Sequence, residues 1–94
     1  MTVARITTLN FKSKEGADQI EETYKTNAPT EFSEAKQLLE VRVDDTTLMF
    51  VSLYSDNEAM ERASAARSKR MDLNKDLIES VDGKTGNVIL NHNK

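Results

Sequence analysis

Between Leu38 and Asp56 the chain reads LLEVRVDDTTLMFVSLYSD, an alternating stretch, a polar break and then a nearly unbroken apolar run. This pattern predicts two antiparallel strands joined by a tight turn. An even-length turn through Asp44, Asp45, Thr46 and Thr47 puts Leu39, Val41, Val43, Leu48, Phe50, Ser52 and Tyr54 on one face, because side chains alternate with period two. Leu38, Glu40, Arg42, Met49, Val51 and Leu53 then share the other. Segment 48–54 is apolar on both sides, as expected of a central strand whose two faces are both covered.

The flanking segments supply the rest of the fold. Residues 2–11, TVARITTLNF, alternate and are rich in strand formers, so they predict a first strand. Its faces are Val3, Arg5, Thr7, Leu9 and Phe11 against Ala4, Ile6, Thr8 and Asn10. Polar side chains on both suit a strand that lines something other than a dry core. Ala17, Ile20, Tyr24 and Ala28 recur at helical spacing and predict a helix over about 15–27. Pro29 is expected to end it near Asn27, since proline disfavours helical geometry in the residue before it. A short extra turn is expected within residues 30–36. Ser55-Asp56-Asn57-Glu58 fits a capping box with Ser55 as the cap. The helix it opens has a small-residue face at Ala59, Met60, Ala63 and Ala66. The pattern resumes with Leu73, Leu77, Ile78 and Val81, predicting one bent helix or two segments that end before Gly83. The apolar run from Asn87 to Leu90 is the expected last strand, and residues 91–94 a polar tail.

The order β-α-β-β-α-β is that of the ferredoxin-like α+β fold, a four-stranded antiparallel sheet with both helices on one face. Its second face, apolar on the central strand, requires a cover. Two such sheets packed face to face in a symmetric homodimer, a dimeric α/β barrel, provide one.

Composition narrows the function classes. At 94 residues the chain is one domain, residues 1–94. It is 37% apolar and 31% charged, the balance of a globular protein. Thirteen Lys and Arg against sixteen Asp and Glu give −3, and only Arg67, Lys69 and Arg70 cluster, so no nucleic-acid partner is expected. Cysteine is absent, which excludes disulfides, thiolate nucleophiles and thiolate-bound metals. MTVARITTLN is too polar for a signal peptide, and no run approaches the roughly eighteen apolar residues of a membrane span. A cytoplasmic location without membrane association is the expectation.

The order of elements, the strand-to-helix junction FVSLYSDNEAMERA at 50–63 and the ending GNVIL at 86–90 resemble the antibiotic-biosynthesis-monooxygenase-like superfamily of dimeric α/β barrels, over about residues 2–90. In that superfamily an aromatic often closes the third strand, a Ser, Asp or Glu cluster opens the second helix, and the last strand pairs near the dimer seam. Tyr54, Ser55 to Glu58 and Gly86 to Leu90 occupy those places. The resemblance implies a dimer with small-molecule pockets and activities ranging from cofactor-free oxygenation to haem degradation, with many members of no known reaction; fold alone does not choose among them. Haem-degrading relatives need a histidine on the second helix, which has none here. Tryptophan, used by cofactor-free oxygenases, is also absent, and the sole histidine, His92, lies in the tail.

Candidate ligand-binding residues are Tyr54, Asn10, Arg5, Arg67 and Tyr24. The Tyr54 hydroxyl is suited to orienting a phenolic or carbonyl group or to donating a proton, with a plain core tyrosine as its bland reading. Asn10 and Arg5 offer donors to a carbonyl or anionic oxygen; alternatively Arg5 answers Glu40 across the sheet or interface. Arg67 and Tyr24 face the cleft or, more blandly, the surface and the core. Glu40, Arg42, Met49, Val51 and Leu53 are the candidate dimer interface, with Glu40 and Arg42 as a salt bridge there. Gly83-Lys84-Thr85 lacks the glycine five residues earlier that a phosphate loop requires and reads as a turn. No metal site and no cofactor is expected. The reading is a homodimer that holds a small, partly aromatic or apolar molecule between sheet and helix; its alternative is a cofactor-independent monooxygenase for a phenolic or quinol substrate.

Overall fold

The computed structural model describes residues 1–94. Strands β1 (Val3–Phe11), β2 (Gln37–Asp44), β3 (Thr47–Tyr54) and β4 (Ile78–Asn87) and helices α1 (Lys14–Glu31) and α2 (Asn57–Leu73) follow one another as β-α-β-β-α-β. The sheet order is β2-β3-β1-β4 with every neighbouring pair antiparallel, which is the expected ferredoxin-like arrangement. Both helices lie on one face, over a core that includes Val3, Leu9, Phe11, Ala17, Ile20, Leu48, Phe50, Tyr54, Ala59 and Met60. No helix is long and apolar enough to cross a membrane.

The hairpin departs from the expected register by one residue. Asp44 pairs with Thr47, as an even turn requires, but the next pair is Arg42 with Leu48, and Val43 is the extra residue of a β-bulge. A slip of one residue turns every later side chain of β2 to the opposite face. Leu38, Glu40 and Arg42 therefore share the helix-covered face with Leu48, Phe50 and Ser52, while Leu39 and Val41 join Met49, Val51 and Leu53 on the open one. Glu40 and Arg42 are not on the face expected to meet a partner. Arg42 instead reaches α1, pairing with Asp18 at 3.0 Å and Glu21 at 2.8 Å, and donates to the carbonyls of Asp44 and Asp45, both at 2.7 Å.

Several element boundaries also differ from expectation. α1 begins at Lys14, capped by Ser13, whose hydroxyl accepts from the Gly16 amide at 3.1 Å. It runs past Pro29, because Ala28 and Phe32 prolong the buried stripe of Ala17, Ile20 and Tyr24, and the Phe32 amide still reaches the Ala28 carbonyl at 2.8 Å. α2 is capped by Asp56 rather than Ser55. Finally, α2 stops at Leu73, where the Asn74 side chain takes the Arg70 carbonyl at 2.8 Å, so Ile78 and Val81 belong to β4. That strand ends at Asn87; beyond it the one backbone bond runs from the Val88 amide to the Thr2 carbonyl at 2.9 Å. Gly83-Lys84-Thr85 is mid-strand, not a turn. β4 is exposed along almost its whole length and is held by backbone bonds to β1, so its side chains carry no strand signature.

The cap assignment has a direct test. The Asp56 carboxylate accepts from the Ala59 amide at 2.8 Å, so Asp56→Ala should lower stability by about 1 kcal/mol in urea unfolding. Ser55→Ala should change it by less than about 0.5 kcal/mol; the reverse ranking would return the cap to Ser55.

Candidate functional site

α2 rests on β1 and β3 through Ala59, Met60 and Ala63, all buried, and leaves β4 uncovered. A cleft results between the helix layer and the sheet. Its floor is Arg5, Thr7 and Leu9 of β1 with Phe50, Ser52 and Tyr54 of β3, which share one face by register. Ile20, Tyr24 and Phe32 wall one side; Arg67, Arg70 and Met71 of α2 wall the other. The enclosed part holds about 50 Å³, room for a few waters. It adjoins an open groove of about 470 Å³ between α2 and β4, with Arg67, Met71 and Ile78 common to both.

Aromatic packing makes the inner wall rigid. The Tyr24 ring meets Phe50 edge-on with centroids 4.6 Å apart and lies 6.2 Å from Phe32. Arg70 stacks over Tyr24 at 5.5 Å from the ring centroid and is anchored by Glu31 at 2.7 Å. Burial pushes the Tyr24 phenol above its usual range.

The cationic part of the cleft comes from two crossed contacts between β1 and α2. Arg5 donates to the Ser64 hydroxyl at 3.1 Å, and Arg67 to the Thr7 hydroxyl at 3.3 Å. Burial lowers the Arg67 pKa, and the nearby Arg5 charge lowers it further. A methyl group added at Gly83, the cross-strand partner of Thr7, would lie 3.2 Å from the Arg67 guanidinium. The bare glycine leaves that guanidinium its place.

Of the sequence-based candidates, Tyr54, Arg5, Arg67 and Tyr24 all line this cleft. Asn10 does not: it sits on the opposite face of β1, donating to Ser80 at 3.0 Å and accepting from Thr47 at 2.9 Å. Arg5 answers Ser64 rather than Glu40. His92 is exposed after β4. Thr7, Ser64, Arg70 and Gly83 are not among the sequence-based candidates; the one sequence signal for them is Thr7, which joins Arg5 as a second polar side chain on the face of Val3, Leu9 and Phe11.

Glu40 is the anomaly of the helix-covered face. Both carboxylate oxygens are buried without a hydrogen-bond partner, beside a hollow lined by Tyr24, Lys25, Ala28, Pro29 and Leu38. Burial, reinforced by the Glu21 charge, raises its pKa to about 7. The folded state thus holds this proton more tightly than the unfolded chain does. The associated stability is complete below about pH 4.5 and is lost as pH rises through about 7. Asp18, Glu21 and Glu34, held below the usual carboxylate range by Arg or Lys partners, act only at lower pH. Glu40→Gln should therefore flatten the fall in melting temperature between pH 5 and 8. At pH 8 it should add about 1 kcal/mol, discounted for solvent screening, or roughly 4–8 °C. Parallel wild-type and variant profiles would show that Glu40 is paired in solution.

No family model matches the chain, and no curated protein matches it in sequence. Solved structures do match in shape. A dimeric ferredoxin-like protein from an uncultured marine organism superposes with a TM-score of 0.80 at 10% identity, covering 99% of this chain and 92% of that one. A proposed antibiotic biosynthesis monooxygenase of Chloroflexus aurantiacus gives 0.78 at 7% identity, over 99% and 98%. SnoaB, a cofactor-independent oxygenase of Streptomyces nogalater, seen as a point mutant, gives 0.72 at 14% identity, over 96% and 95%. At these identities the likeness is one of fold, and the chain has the ferredoxin-like fold that antibiotic-biosynthesis-monooxygenase-like proteins share.

Proposed function

We propose that the protein is a homodimer whose sheet–helix cleft holds a small, partly aromatic or apolar molecule. The observation that carries the ligand reading is the cleft itself: an aromatic inner wall of Tyr24, Phe50 and Tyr54 that opens past Arg67, Met71 and Ile78 into the groove beside β4. The enclosed volume is below the roughly 300 Å³ at which ligand pockets begin, so the ligand's apolar end enters the cleft while its body occupies the groove. Association is supported by the open face of the sheet, where Ile6, Leu39, Val41, Met49, Val51 and Leu53 form an apolar surface no element of the chain covers. One structural neighbour is itself described as dimeric.

A second reading is a cofactor-independent monooxygenase acting on a phenolic or quinol substrate. Tyr54 in the cleft floor and the fold shared with a cofactor-independent oxygenase favour it. Asn10, a candidate donor to a substrate oxygen, is on the other side of the sheet, which leaves the enzymatic reading without that donor. The binding reading is therefore preferred.

Native mass spectrometry at micromolar concentration should give twice the 10.6 kDa chain mass, and Val51→Asp should give the monomer. A monomeric wild type overturns the dimer. Titration with 2-naphthol should show saturable binding that Met71→Trp weakens roughly tenfold or more, equivalent to about 1.4 kcal/mol, by filling the mouth of the cleft. Equal affinity for both proteins would place the ligand elsewhere.

A further inference from the structure

The chain has five arginines, and their partners divide them sharply. Arg42 pairs with Asp18 and Glu21, Arg62 with Glu34, and Arg70 with Glu31. Arg5 and Arg67 have no carboxylate partner, and these two line the cleft. No Asp or Glu lines the enclosed cleft, and Asp72 and Glu79, which border the outer groove, form no ion pair with Arg67. In a chain of net charge −3 with sixteen acidic residues, two adjacent half-buried cations that no carboxylate neutralises are a local excess of positive charge. Each guanidinium presents five N–H donors in a fixed fork. Arg5 gives one to Ser64 and Arg67 one to Thr7, both neutral hydroxyls. Those hydroxyls hold the guanidiniums without discharging them.

Their placement suits a shared ligand. Arg5 and Thr7 are two residues apart on one face of β1, and Ser64 and Arg67 are one turn apart on α2, so the crossed contacts tie both cations to rigid elements. Two like charges so held repel each other, and that repulsion is relieved by an anion between them. A planar carboxylate matches the guanidinium fork in geometry as well as charge. Beside them lie Tyr54, Phe50 and Tyr24, which offer an aromatic or apolar body its surface.

Resting on the cleft reading above, we propose that Arg5 and Arg67 form an anion clamp and that the ligand is a small aromatic or apolar carboxylic acid, with the carboxylate between the two guanidiniums. Gly83 is the positioning residue that keeps space for the Arg67 head.

The test compares 2-naphthoate with its neutral isostere 2-naphthamide by isothermal titration of the intact protein. Wild type should bind the acid roughly tenfold or more tightly. Arg67→Gln and Arg5→Gln should each reduce that acid-over-amide ratio at least about threefold. Gly83→Val, which crowds Arg67 without changing charge, should reduce the preference in the same direction. Equal affinity of wild type for acid and amide overturns the clamp and leaves the cleft standing. Failure of both compounds to bind overturns the cleft reading and the clamp with it. The wild-type comparison decides the matter even if an arginine variant does not fold.

Discussion

One extra residue, Val43, determines which half of β2 meets the helix layer. Its bulge lies one pair from the turn, so all of β2 from Arg42 back to Gln37 is set by it. Because of it Arg42 meets Asp18 and Glu21 and ties the hairpin to α1, and Leu39 and Val41 extend the apolar surface of the open face. Were Val43 paired with Leu48 in a regular ladder instead, Arg42 would point away from α1, and Leu39, Val41 and Val43 would all crowd the helix side. The bulge also brings Glu40 under α1, where its carboxylate is buried without a partner. That position costs stability at neutral pH, since an unpaired buried charge is expensive. The register that secures Arg42 imposes this on Glu40, because the two residues share a face.

Much of this architecture was legible in the residues. The alternation of 2–11, the helical spacing of Ala17, Ile20 and Tyr24, the doubly apolar run at 48–54 and the small-residue face of α2 each reflect burial, and burial leaves a periodic trace. What could not be read lacked that trace. A bulge adds one residue without altering composition, so Val43 looks like any strand valine. β4 buries almost nothing, so Ile78 and Val81 read as the end of a helix, and the apolar but exposed Ile89 and Leu90 read as a strand. Pro29 reads as a stop by the local rule, but burial of Ala28 and Phe32 on either side of it carries the helix past that point.

The candidate site was legible in part for the same reason. Tyr54 and Tyr24 stand out as the only tyrosines, and Arg5 interrupts an otherwise uncharged strand. That Arg5 and Arg67 come together depends on α2 crossing β1, a tertiary fact that no spacing encodes. Asn10 shows the converse: it differs from Arg5 by an odd number of residues, so the two could never share a strand face. Their pairing as donors was excluded by period two alone.

β3 links the two surfaces this fold presents. Phe50, Ser52 and Tyr54 point into the cleft, and Met49, Val51 and Leu53 point to the open face. A strand hydrogen-bonded on both sides cannot rotate to favour one face over the other without breaking both ladders. Packing on the open face therefore restrains the same backbone that places Tyr54 and Phe50, and a dimer seam there would stiffen the cleft floor before any ligand arrives. The helix wall has no ladder of this kind and is held by side-chain contacts instead, Arg5 to Ser64, Arg67 to Thr7 and Arg70 to Glu31. α2 meets the sheet through small side chains at its first turns, and its far end, with Arg67, Arg70 and Met71, overhangs the uncovered β4. Adjustment to a ligand thus falls to the end of α2, against a floor the sheet holds fixed.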